Sequence, residues 1–132
     1  MFWKKPTFQD PHLGVLSRSG NVWRSGSIGT TSGEVFVSLE GGSASPDPIA
    51  LAVAHCVLPN TEPVVRSAMA FALAHSDFQE FMAGNGDLTL DGFSFESSPD
   101  SFDVELALSE WPDAMITVVF KGGTPCSILL AD

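Results

Sequence analysis

The side chains with the widest chemical range in this chain are His12, His55, His75, Cys56, Cys126 and a dense set of carboxylates beyond residue 76. Nucleophilic catalysis needs a serine or cysteine with a base in reach. No Gly-x-Ser-x-Gly elbow occurs. His55 directly precedes Cys56, and neighbouring helical residues point about 100° apart, so these two cannot form a dyad. Cys56 and Cys126 each sit in an apolar stretch and are expected as buried, unpaired thiols. The histidines lack the spacing of a zinc site, although His55 and His75 both fall in helical segments that can approach one another. Asp87-Leu88-Thr89-Leu90-Asp91-Gly92 has the wrong acid spacing for an EF-hand and reads as an outward strand face. Glu40-Gly41-Gly42-Ser43-Ala44-Ser45 follows a strand and precedes a helix, but lacks the Gly-Lys-Ser/Thr ending of a phosphate loop. The expectation is a chain with no catalytic residue, no cofactor and no metal ligand.

Recognition is the chemistry that remains. The chain carries 16 acids and 6 bases, a net charge of −10. Residues 1–76 hold five acids and five bases, whereas residues 77–132 hold eleven acids and only Lys121 as a base. Such a field repels nucleic acid and anionic membrane and attracts basic proteins. Trp111 lies among the acids in Ser109-Glu110-Trp111-Pro112-Asp113. A tryptophan amid carboxylates suits a basic partner through packing and cation–π contact. The competing expectation folds Trp111 back over the edge of the core. Asp100, Asp103, Glu105, Glu110, Trp111 and Asp113 form the expected partner-binding face, and a basic protein such as a nuclease is the expected partner. Two alternatives stand beside it. One is a small hydrolase or metal-binding enzyme that uses the carboxylate cluster. The other is an accessory structural domain whose charge only confers solubility.

The elements that must position these residues follow from periodicity. A chain of 132 residues with 44% hydrophobic content suits one domain over residues 1–132 with a proper core. No apolar run approaches the ~20 residues of a membrane span. The opening Met1-Phe2-Trp3-Lys4-Lys5-Pro6 has no apolar segment behind its lysines, so no secretory signal is expected and a cytoplasmic location is. Asp10-Pro11 opens a turn; strands are expected over residues 13–18, 22–28 and 34–40. Trp3 and Trp23 are expected in core or sheet-edge packing. Ser45-Pro46 or Asp47-Pro48 gives a capped helix start, with Ile49, Ala52, Val53, Cys56 and Val57 as its apolar stripe. Thr61 is expected to cap a second helix with the stripe Val65, Ala68, Met69, Ala72 and Leu73. Ser76-Asp77-Phe78-Gln79 matches a capping box for a short third helix burying Phe78, Phe81 and Met82. Four strands then follow, over residues 88–96 with a bulge at Asp91-Gly92, residues 102–108, residues 114–121 and residues 124–130, the last two joined by a Gly122-Gly123 hairpin. The fold class expected is α+β: an antiparallel sheet of about six to seven strands in the order βββ-ααα-ββββ, with helices packed on one face.

Phe8-Gln9-Asp10-Pro11-His12-Leu13-Gly14-Val15-Leu16, Trp23-Arg24-Ser25-Gly26 and Gly33-Glu34-Val35-Phe36-Val37-Ser38-Leu39 together resemble a loose group of small bacterial domains of unknown function. These open with an F-D-P-x-L-G segment and a W-x-G strand, then pass through helices into C-terminal strands. Here Gln9 interrupts the Phe-Asp step and Ser25 adds a residue before Gly26. Members of such groups are similar to immunity proteins of bacterial toxin systems. The resemblance implies a non-enzymatic protein-binding module that neutralises a toxin through its acidic surface.

Overall fold

Alternating apolar residues build nearly half of this chain into one sheet. The computed structural model describes residues 5–132. Five strands come first: β1 (Thr7–Asp10), β2 (Gly14–Ser19), β3 (Val22–Arg24), β4 (Ile28–Thr30) and β5 (Gly33–Glu40). Helices α1 (Pro48–Val57), α2 (Glu62–Ala74) and α3 (Ser76–Met82) follow. Strands β6 (Leu88–Phe95), β7 (Ser101–Leu108), β8 (Trp111–Lys121) and β9 (Thr124–Ala131) close the chain. The sheet runs in the order β1-β2-β3-β5-β6-β7-β8-β9, with β4 also beside β5.

This corrects the expected antiparallel sheet of six to seven strands in the order βββ-ααα-ββββ. There are nine strands among the described residues, five of them ahead of the helices, and the sheet is mixed. The added first strand, β1, pairs with β2 across the Asp10-Pro11 turn. The single strand expected over residues 22–28 is two strands. Between them Ser25 takes over the pairing: its N–H donates to the Val37 carbonyl at 2.9 Å, and its Oγ accepts from the Val37 N–H at 2.9 Å. Thus β3 pairs with the end of β5 and β4 with its start. Finally, β5 and β6 are parallel. Parallel neighbours need a long crossover, and the three helices provide it.

Asp47 caps α1 as expected, accepting from the N–H groups of Ile49 and Ala50 at 2.8 and 3.2 Å, with Pro48 in the first turn. Thr61 and Ser76 do not cap through their side chains. Thr61 is buried, and its hydroxyl instead meets Ser32 Oγ at 2.7 Å. The expected stripe of α1 is also rotated: Ala50 and Ala54 are buried, while Ile49 and Cys56 are exposed. The helix is apolar almost all round, so no polar face fixes its rotation. Its smallest residues turn inward as it packs on β5 and β6. Both Cys56 and Cys126 are exposed free thiols, against the expectation of burial. Among the described residues no helix is long and apolar enough to cross a membrane. The expectation for Trp3 lies outside the described residues; Trp23 is fully buried and donates its Nε1–H to the Gly42 carbonyl at 3.0 Å.

The core lies between the helices and one face of the sheet, where Val35, Val37, Leu39, Phe93, Phe95, Val104, Ile116 and Val118 meet Ala50, Ala68, Ala72 and Phe78. Three of its rings form a row, because Phe95, Phe102 and Phe120 are register partners across β6, β7 and β8. Phe102 and Phe120 stack with centroids 4.9 Å apart, and Phe95 lies 5.9 Å from Phe102. Truncating a buried ring loses its transfer energy and leaves a cavity. Phe120→Ala is therefore expected to lower stability by about 3–5 kcal/mol, read in urea unfolding as a lower midpoint with an unchanged slope.

Candidate functional site

Two groups of titratable side chains have defined geometry. The first joins the β1–β2 turn to α1. Asp10 is buried, and its Oδ2 accepts the backbone N–H of His12 and of Leu13, each at 2.9 Å. His55 Nε2 lies 2.9 and 3.0 Å from the two Asp10 oxygens. Burial pushes the Asp10 carboxyl upward, but the Leu13 and His12 N–H groups and His55 together hold it below its ordinary value. An ionised carboxylate only accepts, so Nε2 is the protonated nitrogen of His55. His12 meets His55 edge to face at 5.0 Å, and both line a cleft of about 260 Å³ with Leu13, Ile28, Thr30 and Ala54. His75 is not part of this group; it packs beside Phe71.

The cleft has an oriented imidazole, and the hydroxyl among its described lining residues is that of Thr30. The Thr30 hydroxyl donates to the Gly33 carbonyl at 2.6 Å. Cys56 lines a different groove on α1, with Pro48, Ile49 and Pro99. Among the described residues no three His, Cys, Asp or Glu side chains are arranged to hold a metal ion. Chemically, then, Asp10 and His55 form a tie between two distant segments. The Asp-Pro turn was visible in the sequence; its partner, 45 residues away, carried no local signal.

The second group lies on the face of the sheet opposite the core. Two rows cross it in register. One runs Phe36, Gly92, Glu105, Thr117, Leu129, and the next Arg24, Ser38, Ser94, Asp103, Val119, Ser127. Glu105 is held by two hydroxyls, Ser94 Oγ at 3.2 Å and Thr117 Oγ1 at 2.7 Å. Asp103 is half-buried, and burial together with the charges of Glu105 and Glu96 pushes its carboxyl up to about 6. Large apolar side chains stand exposed around the pair: Phe36 at 56%, Met115 at 58% and Leu129 at 60%. Arg24, Phe36, Ser94, Glu105 and Met115 share a groove of about 400 Å³. Among the described residues no lysine or arginine lies within 4.0 Å of a carboxylate oxygen, and the one contact of that kind is His55 with Asp10, ionic only when the imidazole carries both protons.

Of the six residues expected to form a binding face, only Asp103 and Glu105 are neighbours on this surface. Asp100 is exposed ahead of β7, where its carbonyl accepts the Gly122 N–H at 2.8 Å. Glu110 and Asp113 are exposed near the other end of β7, roughly 25 Å away along the strand. Trp111 turns inward, its ring tilted 31° against Phe81 with centroids 4.7 Å apart. Phe36, Ser94, Met115, Thr117 and Leu129 complete the surface and were not singled out from the sequence. Their outward parity is legible strand by strand, but the register that gathers them is not. The chain matches no protein-family model, no curated protein and no solved structure.

The two groups predict opposite pH effects. Asp10 has a lowered folded pKa, so its contribution is complete above the ordinary value of 3.8 and is lost as pH falls through the lowered one. Asp10→Asn should therefore be less stable than the parent at neutral pH, with the difference shrinking in acid, as followed by denaturant unfolding across pH. Asp103 has a raised folded pKa, so its contribution is present below 3.8 and is lost as pH climbs to about 6. Asp103→Asn should stabilise the protein by about 1 kcal/mol above that pH, allowing for screening at a half-exposed site, and show little effect near pH 4.

Proposed function

We propose that the chain is a non-enzymatic protein-binding module that presents the uncovered face of its C-terminal strands to a basic protein. The observation that carries this reading is Asp103, half-buried beside Glu105 and Glu96 with no lysine or arginine in ion-pair reach among the described residues. Ionised at neutral pH, it costs the free protein stability, and a cation brought by a partner would relieve that cost. Glu105 is already oriented by Ser94 and Thr117, so less order is lost when it binds. Phe36, Met115 and Leu129 add exposed apolar area, and patches of that kind rimmed by polar groups mark interaction sites. An arginine suits the centre best, because its planar fork matches carboxylates and its stem packs on apolar neighbours. Asp100, Glu110 and Asp113 stand apart from this centre and act through the long-range field that steers encounter.

The resemblance to immunity proteins suggests a class of partner: a toxin with a basic active cleft, such as a nuclease, met in the cytoplasm. Two exposed free thiols fit a reducing compartment. The test is affinity capture from the native host, identification of the partner by mass spectrometry, and titration of that purified partner at low and physiological salt. Asp103→Asn combined with Glu105→Gln is expected to weaken binding by about tenfold or more and to flatten its salt dependence. Asp100→Asn combined with Glu110→Gln should change affinity by no more than about twofold while slowing association. Unchanged affinity and an unchanged salt slope in the first pair would remove this reading.

A further inference from the structure

The groove on the outer face is not uniformly acidic. Arg24 lines it from β3, while Glu105 and Asp91 line it from β7 and β6. The register accounts for the opening between them. The row that starts at Arg24 continues through Ser38 and Ser94, and Gly92 precedes Glu105 in the next, so short residues lie between the long ones. Phe36 and Met115, each more than half exposed, add apolar lining. Three strand spacings, roughly 14 Å, separate the backbone of β3 at Arg24 from that of β7. Among the described residues no carboxylate oxygen lies within 4.0 Å of the Arg24 guanidinium, so the two sides of the groove do not neutralise each other. Glu105 is fixed at both oxygens: Oε1 accepts the Ser94 hydroxyl and Oε2 the Thr117 hydroxyl. Each of those oxygens keeps a further acceptor site.

We propose that this groove takes the C-terminal residue of a polypeptide ending in arginine, with the guanidinium on Glu105 and the free α-carboxylate on Arg24. The inference rests on the basic-partner reading of the same face and names the part of the partner that docks. A guanidinium presents a planar fork, which matches a carboxylate whose two oxygens are already held in place. Asp91 adds a second acid to the groove. The apolar stem of the arginine packs on Phe36 and Met115. An arginine inside a chain would supply the cation but leave Arg24 without a partner. Free arginine would bring its α-ammonium group toward Arg24, and like charges there oppose binding. The last residue of a polypeptide carries a neutral amide at that position and a carboxylate beside it, so it satisfies both sides of the groove. Its cation and anion also cancel, so its docking depends less on salt than that of a whole basic surface.

Titration of the full chain with short peptides, followed by the NMR shift of the Met115 methyl group, tests the assignment. The probes are N-acetyl-Gly-Gly-Arg with a free carboxylate, the same peptide as its C-terminal amide, the free acid with citrulline in place of arginine, and free L-arginine. The free-acid arginine peptide is expected to bind saturably. Amidation should weaken it about tenfold, and the citrulline peptide should not bind. Arg24→Met should lower the affinity of the acid to that of the amide and leave the amide unchanged, whereas Glu105→Gln should weaken both. If Arg24→Met does not fold, the comparison of acid with amide on the parent chain decides. Equal binding of acid and amide, free L-arginine binding as tightly as the peptide, or no saturable shift with any probe would overturn the inference. Equal binding of acid and amide through Glu105 would remove the terminal docking and keep the basic-partner reading. Failure of that wider reading shows separately, as a captured partner indifferent to Asp103→Asn with Glu105→Gln.

Discussion

The parallel pairing of β5 with β6 is the interaction on which the remaining architecture depends. It joins five strands on one side of the helical block to four on the other. On the inner face it sets Val37 beside Phe93 and Leu39 beside Phe95. On the outer face it sets Phe36 beside Gly92 and Ser38 beside Ser94. The approach is close: a Cβ on Gly92 would overlap the Phe36 carbonyl oxygen. Any side chain there would push the two halves apart and open the core between them. Parallel pairing also dictates where the helices go. The chain must return to the same end of the sheet, and α1, α2 and α3 make that return over the inner face. The bare outer face is thus a consequence of topology rather than an independent feature.

Two carboxylates show what burial does with and without partners. Asp10 is the more deeply buried, yet it receives two backbone N–H groups and an imidazole, and its charge is favoured. Asp103 is less buried, yet faces two like charges, and its charge is disfavoured. The difference lies in what each carboxylate serves. Asp10 ties the β1–β2 turn to α1, so its partners come from within the chain. Asp103 has hydroxyl-bearing neighbours, but those hydroxyls go to Glu105. What Asp103 lacks is a cation, and among the described residues no lysine or arginine lies within 4.0 Å of its carboxylate.

Elements set by local pattern were legible in the sequence. The Gly122-Gly123 hairpin follows from two consecutive glycines with φ of 60° and 82°, and the bulge after Leu90 from the parity break between Leu90 and Phe93. The Asp47 cap, the alternation of β7 and most of the α2 face were also readable from a few adjacent residues, although Leu73 of the expected α2 stripe stands 48% exposed. Non-local features were not. The β5–β6 direction depends on how far three helices carry the chain, which no periodicity records. The rotation of α1 escaped because its alanines, valines and cysteine do not define a polar side. The tie between Asp10 and His55 spans 45 residues. The binding-face expectation failed as a patch for a related reason. Asp100 and Glu110 are close in sequence, but a strand holds them at opposite ends.

A sheet with one face open to water must avoid stacking on another through that face. Placing Asp103 and Glu105 in the centre of the outer surface meets this need, since an inward-set charge repels a like surface laid over it. The same pair sits amid Phe36, Met115 and Leu129, whose exposure would otherwise invite indiscriminate contact. Carboxylates there repel an acidic copy, and under the proposed reading the same pair of charges would select a basic surface, so exclusion and selection would share one cause.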